Sequence, residues 1–215
     1  MKIDSLDTFY GLTSDHVSTS HSKQLEIFAQ KGVKLVQLRS KKRFSGNSFP
    51  ELTKSVHFAR SLGTKVIMND SISLAMEFQS DGVHLGEKDS DPETARKMLG
   101  RNAIIGSTVH SKIDAEKVRK EKVSDYVGLG PFRESSTKRK LSPTLSIEEI
   151  KEIISMLQPI PTFLIGGLDE NDFQLLEKTG AHGICVCSSL SNGDSFGINI
   201  DLFLEKKFNY VGHSY

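Results

Sequence analysis

Eight short apolar runs alternate with helical stretches along 215 residues, and this alternation predicts an α/β fold: a (β/α)8 TIM barrel in a single compact domain over residues 1–215. Two further observations support it. The runs are mostly apolar without strict alternation, as strands buried on both faces of a parallel sheet are. Polar residues that a core would not select recur where the runs end, which is where such barrels carry their chemistry. A doubly wound open sheet is the competing arrangement, and it differs by a reversal of strand order that one sequence does not display. A barrel typically takes about 250 residues, so this chain leaves room for lean loops only.

The elements follow in order. Residues 9–13 read as the first strand, and 20–31 as a helix stopped by Gly32. Residues 33–38 form the second strand. In 48–62, Leu52, Val56, Phe58, Ala59 and Leu62 are spaced for one helix face. Residues 65–68 are a strand, 72–79 a short helix and 81–85 the fourth strand. The next helix opens at Asp91-Pro92-Glu93, an N-cap type followed by Pro at the first helical position. Residues 103–106 are the fifth strand, 112–121 a helix and 125–129 the sixth strand. Ser146-Ile147-Glu148-Glu149 has the form of a capping box and opens a helix to Leu157. Residues 162–165 are a strand, 169–178 a helix ending at Gly180, 183–187 the eighth strand and 200–206 the last helix.

Composition narrows the function. With 37% hydrophobic residues and 17 Gly, the chain falls in the globular range and excludes disorder. Lys plus Arg number 28 and Asp plus Glu 27. That balance argues against a broad nucleic-acid or anionic-membrane surface and leaves room for a small anion site. No stretch approaches the roughly 20 apolar residues of a membrane span, and the acidic start lacks a signal-peptide run. Cys185 and Cys187 are too close for a disulfide framework. A reducing, cytoplasmic setting is expected, with no nucleic-acid and no membrane partner; a homo-oligomer stays open.

The strand ends carry the chemistry. Gln37, Arg39 and Lys41 share one face by the period of two, and converging Arg and Lys attract phosphate; a solvated basic turn is the alternative. Asp70 and Asp89 lie 19 residues apart, one strand–helix unit and a loop. Adjacent strands bring such carboxylates together, and two hard oxygen ligands suit Mg²⁺, although either Asp also suits a helix N-cap. Residues 130–138 hold hydroxyls and Lys138, and such a loop wraps an anion or simply turns. Gly166-Gly167 and Ser188-Ser189 follow the seventh and eighth strands, the usual phosphate corner of these barrels, with a tight strand exit the alternative for the glycine pair. The residues alone give a lean barrel with two anion sites, one metal-assisted, suited to two phosphate-bearing substrates.

At these positions the chain resembles the thiamine-phosphate synthase family, also called thiamine-phosphate pyrophosphorylase. The matching segments are residues 36–41, Asn69-Asp70, residues 81–86 with Asp89, residues 130–138, residues 165–167 and residues 186–189, in order across about residues 9–190. The resemblance implies a barrel enzyme that joins a hydroxymethylpyrimidine diphosphate to a hydroxyethylthiazole phosphate, giving thiamine phosphate and pyrophosphate. It implies Mg²⁺ on Asp70 and Asp89, and no protein nucleophile. Arg39, Lys41, Asn69 and Lys138 would hold the diphosphate, and Gln37 would contact the pyrimidine. Ser135 and Thr137 would serve the thiazole-phosphate side, where Gly167 would donate its backbone N–H beside Ser188, with Cys187 lining the pocket.

Some positions depart from the family. Ser135 stands where Thr is usual, and Arg133-Glu134 where the family has a more apolar pair. Thr108 stands at the family's Ser and keeps a hydroxyl for the diphosphate, with a second hydroxyl beside it on Ser107. Two alternatives compete: a thiazole tautomerase of the same fold, needing an acid/base such as His110 and no diphosphate site, and a non-catalytic phosphate sensor. His84 and His110 also suit buried structural roles.

Overall fold

The computed structural model describes residues 6–42, 44, 46–134, 143–191 and 195–212. Strand and helix alternate throughout: β1 (Phe9–Leu12), α1 (His21–Gln30), β2 (Leu35–Leu38), α2 (Phe49–Ser61), β3 (Lys65–Asn69), α3 (Ile72–Glu77), β4 (Gly82–Leu85) and α4 (Pro92–Leu99) form the first half. β5 (Ile104–Val109), α5 (Lys112–Glu121), β6 (Tyr126–Leu129), α6 (Ile147–Leu157), β7 (Thr162–Ile165), α7 (Gln174–Thr179), β8 (Gly183–Val186) and α8 (Phe196–Gly212) form the second. Every neighbouring strand pair is parallel in sequence order. Register Gly11↔Val186 joins β1 to β8 and closes the barrel. Closure excludes the open-sheet alternative.

Period-two alternation divides the core in two. Leu35, Ile67, Ile104 and Phe163 point inward and fill the barrel with Tyr10, Tyr126 and Cys185. Val36, Met68, Val83, Val127 and Leu164 point outward against the helices. Burying both faces explains why the strands read as continuous apolar runs. The caps form where short polar side chains precede helical runs. Asp91 accepts the Glu93 and Thr94 amides, and Ser146 and Glu149 close a capping box.

Three elements differ from the sequence reading by three residues or more at an end. β5 extends to Val109, which puts Thr108 inside a strand. α7 begins at Gln174 rather than 169, because the Asp172 carboxylate accepts the Asp169 amide at 2.8 Å and pairs with Arg133, holding the preceding residues in turns. α8 starts at Phe196 and runs to Gly212, longer than 200–206. Its apolar residues explain the extension: Phe196 packs on Phe28 at 5.0 Å between ring centroids, and Phe203 on Phe9 at 5.3 Å.

Candidate active site

The carboxyl ends of the strands surround a cavity of about 560 Å³. Tyr10, Phe163 and Cys185 line its inner wall, and its rim is polar. The residues singled out in the sequence gather here: Gln37, Arg39, Asn69, Asp70, Asp89, Thr108, Gly167, Cys187 and Ser188 all line it. Lys41 lines an adjoining cavity that shares Arg39, Asn69 and Asp70. Ser135, Thr137 and Lys138 lie outside the described residues.

The loop after β2 is held by a short polar framework. Thr13 Oγ1 accepts the Arg39 amide at 2.8 Å and donates to the Arg39 carbonyl at 3.0 Å. Asp15 accepts the Ser40 hydroxyl and the Lys41 amide, both at 2.6 Å. His21 bridges the two, with one ring nitrogen 2.9 Å from Thr13 Oγ1 and the other 2.9 Å from Asp15. Burial opposes ionisation of Asp15, but hydrogen bonds from Ser40, His21 and the Lys41 amide outweigh it and hold the carboxyl down to about 2. Arg39 and Lys41 therefore sit on a backbone fixed from outside the cavity.

Asp70 follows β3 with its backbone in the left-handed region at φ 63°. Asp tolerates this region better than most residues, and strain of this kind clusters at functional sites. Its amide donates to the His84 carbonyl at 2.8 Å, placing it beside the end of β4. Asp89 arrives from the β4 loop, with one carboxylate oxygen accepting the Gly86 amide at 2.7 Å. Burial, and then the hydrogen bond and like charge of Asp89, push Asp70 up to about 6, while Arg39 and Asn69 pull the other way. Two carboxylates in this state suit a divalent cation, which relieves their repulsion. Among the described residues no cluster of three or more His, Cys, Asp or Glu forms a cage. Two carboxylates and open positions fit magnesium, which keeps water and takes its other ligands from substrate phosphates.

The opposite rim belongs to β6, β7 and β8. Gly166 and Gly167 take φ 106° and 59°. A Cβ on Gly167 would lie 2.7 Å from Arg133 Cβ and 2.8 Å from the Glu134 carbonyl, so only glycine fits this approach. Arg133 clamps the two loops together: its guanidinium reaches the buried Asp172 at 2.5 and 2.7 Å and the Gly167 carbonyl at 3.1 Å. The departure at position 133 thus has a structural use. Ser189 donates to the Leu168 carbonyl at 2.5 Å, leaving Ser188 on the cavity.

Two ambiguities in the sequence resolve. Ser107 faces outward and bonds Ser124 at 2.7 Å, whereas Thr108 faces the cavity. His84 and His110 both line the cavity, and both ring systems are engaged: His110 Nδ1 meets the Gly130 carbonyl, and His84 sits between Tyr126 and Thr108. Tyr10 and Phe163 were not singled out, because an aromatic residue inside an apolar run carries no sign that its inner edge reaches a ligand. Their only signal was parity with Gln37 and Thr108.

A family model described as thiamine monophosphate synthase matches residues 9–190. The chain belongs to this family. The thiamine-phosphate synthase of Caldicellulosiruptor saccharolyticus is 31% identical over 193 residues, covering 89% of this chain and 86% of that protein. That of Flavobacterium johnsoniae is 34% identical over 184 residues, covering 84% and 86%. Among solved structures, a thiamine phosphate pyrophosphorylase from Pyrococcus furiosus superposes with a TM-score of 0.81 at 22% identity, covering 95% of this chain and 97% of that one, which shows the shared barrel. Among the described residues, no helix is long and apolar enough to cross a membrane.

Proposed function

We propose that the chain is a thiamine-phosphate synthase, a transferase that moves a pyrimidinylmethyl group from diphosphate to the nitrogen of a thiazole phosphate. The observation that carries this reading is the two-ended cavity. Arg39, Asn69 and Thr108 stand beside the Asp70–Asp89 pair at one end, and Gly167 and Ser188 stand at the other. One cavity with two separated anion sites suits two phosphate-bearing substrates meeting between them.

The reaction breaks the carbon–oxygen bond between the pyrimidine methylene and diphosphate, and forms a carbon–nitrogen bond to the thiazole. Diphosphate leaves with the bonding electrons, and the aminopyrimidine delocalises the positive charge left on the methylene. Arg39 and Lys41, held by Thr13 and Asp15, neutralise the departing charge without reorganising. Asn69 and Thr108 contribute neutral donors, and Gln37 holds the pyrimidine. Asp70 and Asp89 would hold Mg²⁺, whose charge stabilises the leaving group when bound. Gly167 and Ser188 fix the thiazole phosphate, so that the nitrogen lies near the methylene. Tyr10, Phe163 and Cys185 exclude water from that carbon. Lys138, Ser135 and Thr137 join the same reading from the β6 loop, with Cys187 on the wall. The protein supplies no nucleophile.

Purified chain, both substrates and Mg²⁺ should release pyrophosphate and form thiamine phosphate, and no product from this mixture rejects the reading. Asp70→Ala and Asp89→Ala should each abolish the Mg²⁺ response. Product formed equally well by both variants rejects the metal assignment. Isomerisation of the thiazole phosphate without coupling would favour the tautomerase.

A further inference from the structure

Two consecutive carbonyls just after β7 are held by one residue of the β6 loop. The Arg133 amide donates to the Gly166 carbonyl at 3.1 Å. The Arg133 guanidinium donates to the Gly167 carbonyl, also at 3.1 Å. In an extended chain successive carbonyls point to opposite sides. Here Gly167 lies in the left-handed region at φ 59°, which turns both carbonyls to the same side.

The amides follow from the carbonyls. Both peptides are trans, so the Gly167 and Leu168 N–H groups each point away from the carbonyl of their own peptide. Gly167 and Leu168 line the cavity, whereas Arg133 and Asp172 stand outside its walls. Carbonyls drawn outward to Arg133 thus leave two consecutive N–H groups aimed into the cavity. Among the described residues neither amide donates to a protein acceptor. Successive amides of this kind form a cradle for an anion. The next peptide is committed to the fold: the Leu168 carbonyl accepts the Ser189 hydroxyl at 2.5 Å, and the Asp169 amide donates to Asp172 at 2.8 Å.

The guanidinium that sets this geometry is itself fixed. It meets the two Asp172 oxygens at 2.5 and 2.7 Å, and Asp172 is 3% exposed. Its central carbon lies 4.8 Å from the centre of the Phe132 ring. The carboxylate neutralises the guanidinium, so what Arg133 contributes at Gly167 is direction rather than net charge. A planar fork of donors serves the carboxylate and the carbonyl together, which a single ammonium does not.

We propose that Arg133 is a positioning residue for a phosphate monoester. Its amide sets the Gly167 N–H and its guanidinium sets the Leu168 N–H, so that both converge on one phosphate group. For the identity of that monoester as the thiazole phosphate, the proposal rests on the reaction proposed above.

The test titrates inorganic phosphate into the full chain and follows the Gly167 and Leu168 amides by ¹H–¹⁵N correlation, with Leu168→Ile to assign the leucine signal. In the wild type both amide protons should move downfield along one saturating curve. Arg133→Met combined with Asp172→Asn leaves no unpaired buried charge and keeps an oxygen for the Asp169 amide. That chain should bind phosphate about tenfold more weakly, the scale of one charge-assisted hydrogen bond. It should keep the response at Gly167, whose peptide the Arg133 backbone still holds, and lose it at Leu168. If the double variant does not fold, Arg133→Lys reads the same split in a chain that keeps a cation for Asp172. In the coupling assay KM for the thiazole phosphate should rise about tenfold, with KM for the pyrimidine diphosphate unchanged. A wild type whose Leu168 amide does not respond to phosphate overturns the proposal. So does a variant in which the Gly167 and Leu168 responses are kept together or lost together, or in which both KM values rise equally. The titration needs neither substrate, so a chain that makes no product removes the proposed reaction while the cradle is still decided.

Discussion

Replacing Asp89 by Asn removes one of two facing carboxylates while keeping an oxygen for the Gly86 amide. In the wild type, burial and Asp89 raise Asp70 from its ordinary 3.8 to about 6. A displacement of that size corresponds to about 3 kcal/mol if fully expressed, and solvent contact at Asp70 reduces it to about 1–2 kcal/mol. The folded pKa lies above the unfolded one, so the native state holds the extra proton. The associated stabilisation is full below 3.8 and is lost as pH rises through about 6. At neutral pH the metal-free chain therefore contains repulsion that Asp89→Asn relieves in part, since burial still opposes Asp70. The expected gain is about 1 kcal/mol, or about 2–4 °C in Tm for a chain of this size. Thermal melts in chelator should show the variant above the wild type near pH 7.5 and level with it near pH 4.5. Mg²⁺ should then raise the wild type and leave the variant where it is. A variant that melts at or below the wild type near pH 7.5 in chelator would refute the reasoning.

Arg133→Ala leaves the buried Asp172 without its guanidinium. Because the arginine itself is partly exposed, the cost should be about 2 kcal/mol, read as a lower urea midpoint. Gly167→Ala puts a Cβ into Arg133 at a positive φ and should raise KM for the thiazole phosphate at least tenfold, with little change in KM for the pyrimidine diphosphate. Asp15→Asn should loosen the Lys41 amide and raise KM for the pyrimidine diphosphate several-fold in steady-state assays. Because the folded pKa of Asp15 is depressed to about 2, its contribution is present above 3.8 and fades as pH falls toward 2. Acid titration of the variant should be flatter across that window.

The sequence was most legible where burial and period agree. Strands such as Val36-Gln37-Leu38-Arg39 interrupt apolar runs with polar residues at every second position, and parity alone placed Gln37 and Arg39 on the inner face. Asp70 and Asp89 were legible as a pair because parallel neighbours in a barrel end side by side. What was not legible depends on contacts between distant residues. Tyr10 and Tyr126 each read as core, and only the fold sets their oxygens 2.8 Å apart. Arg133 read as an irregularity until Asp172 appeared opposite it. The late start of α7 has the same origin, since Asp172 is drawn to that arginine and to the Asp169 amide instead of continuing a helix.

The rim divides by strand. In the proposed reaction the described groups that would face the leaving diphosphate stand on β2 to β5, joined from the β6 loop by Lys138, and those that would face the other phosphate stand after β7 and β8, with the Arg133–Asp172 clamp tying the β6 loop to the β7 loop. The two recognition surfaces are therefore separately heritable. On that reading, substitutions or loop exchanges after β7 and β8 would re-tailor the acceptor while the ionising machinery of the first half, with Lys138, is left intact. A heterocycle with a different tail is thus reachable without rebuilding the site that expels pyrophosphate.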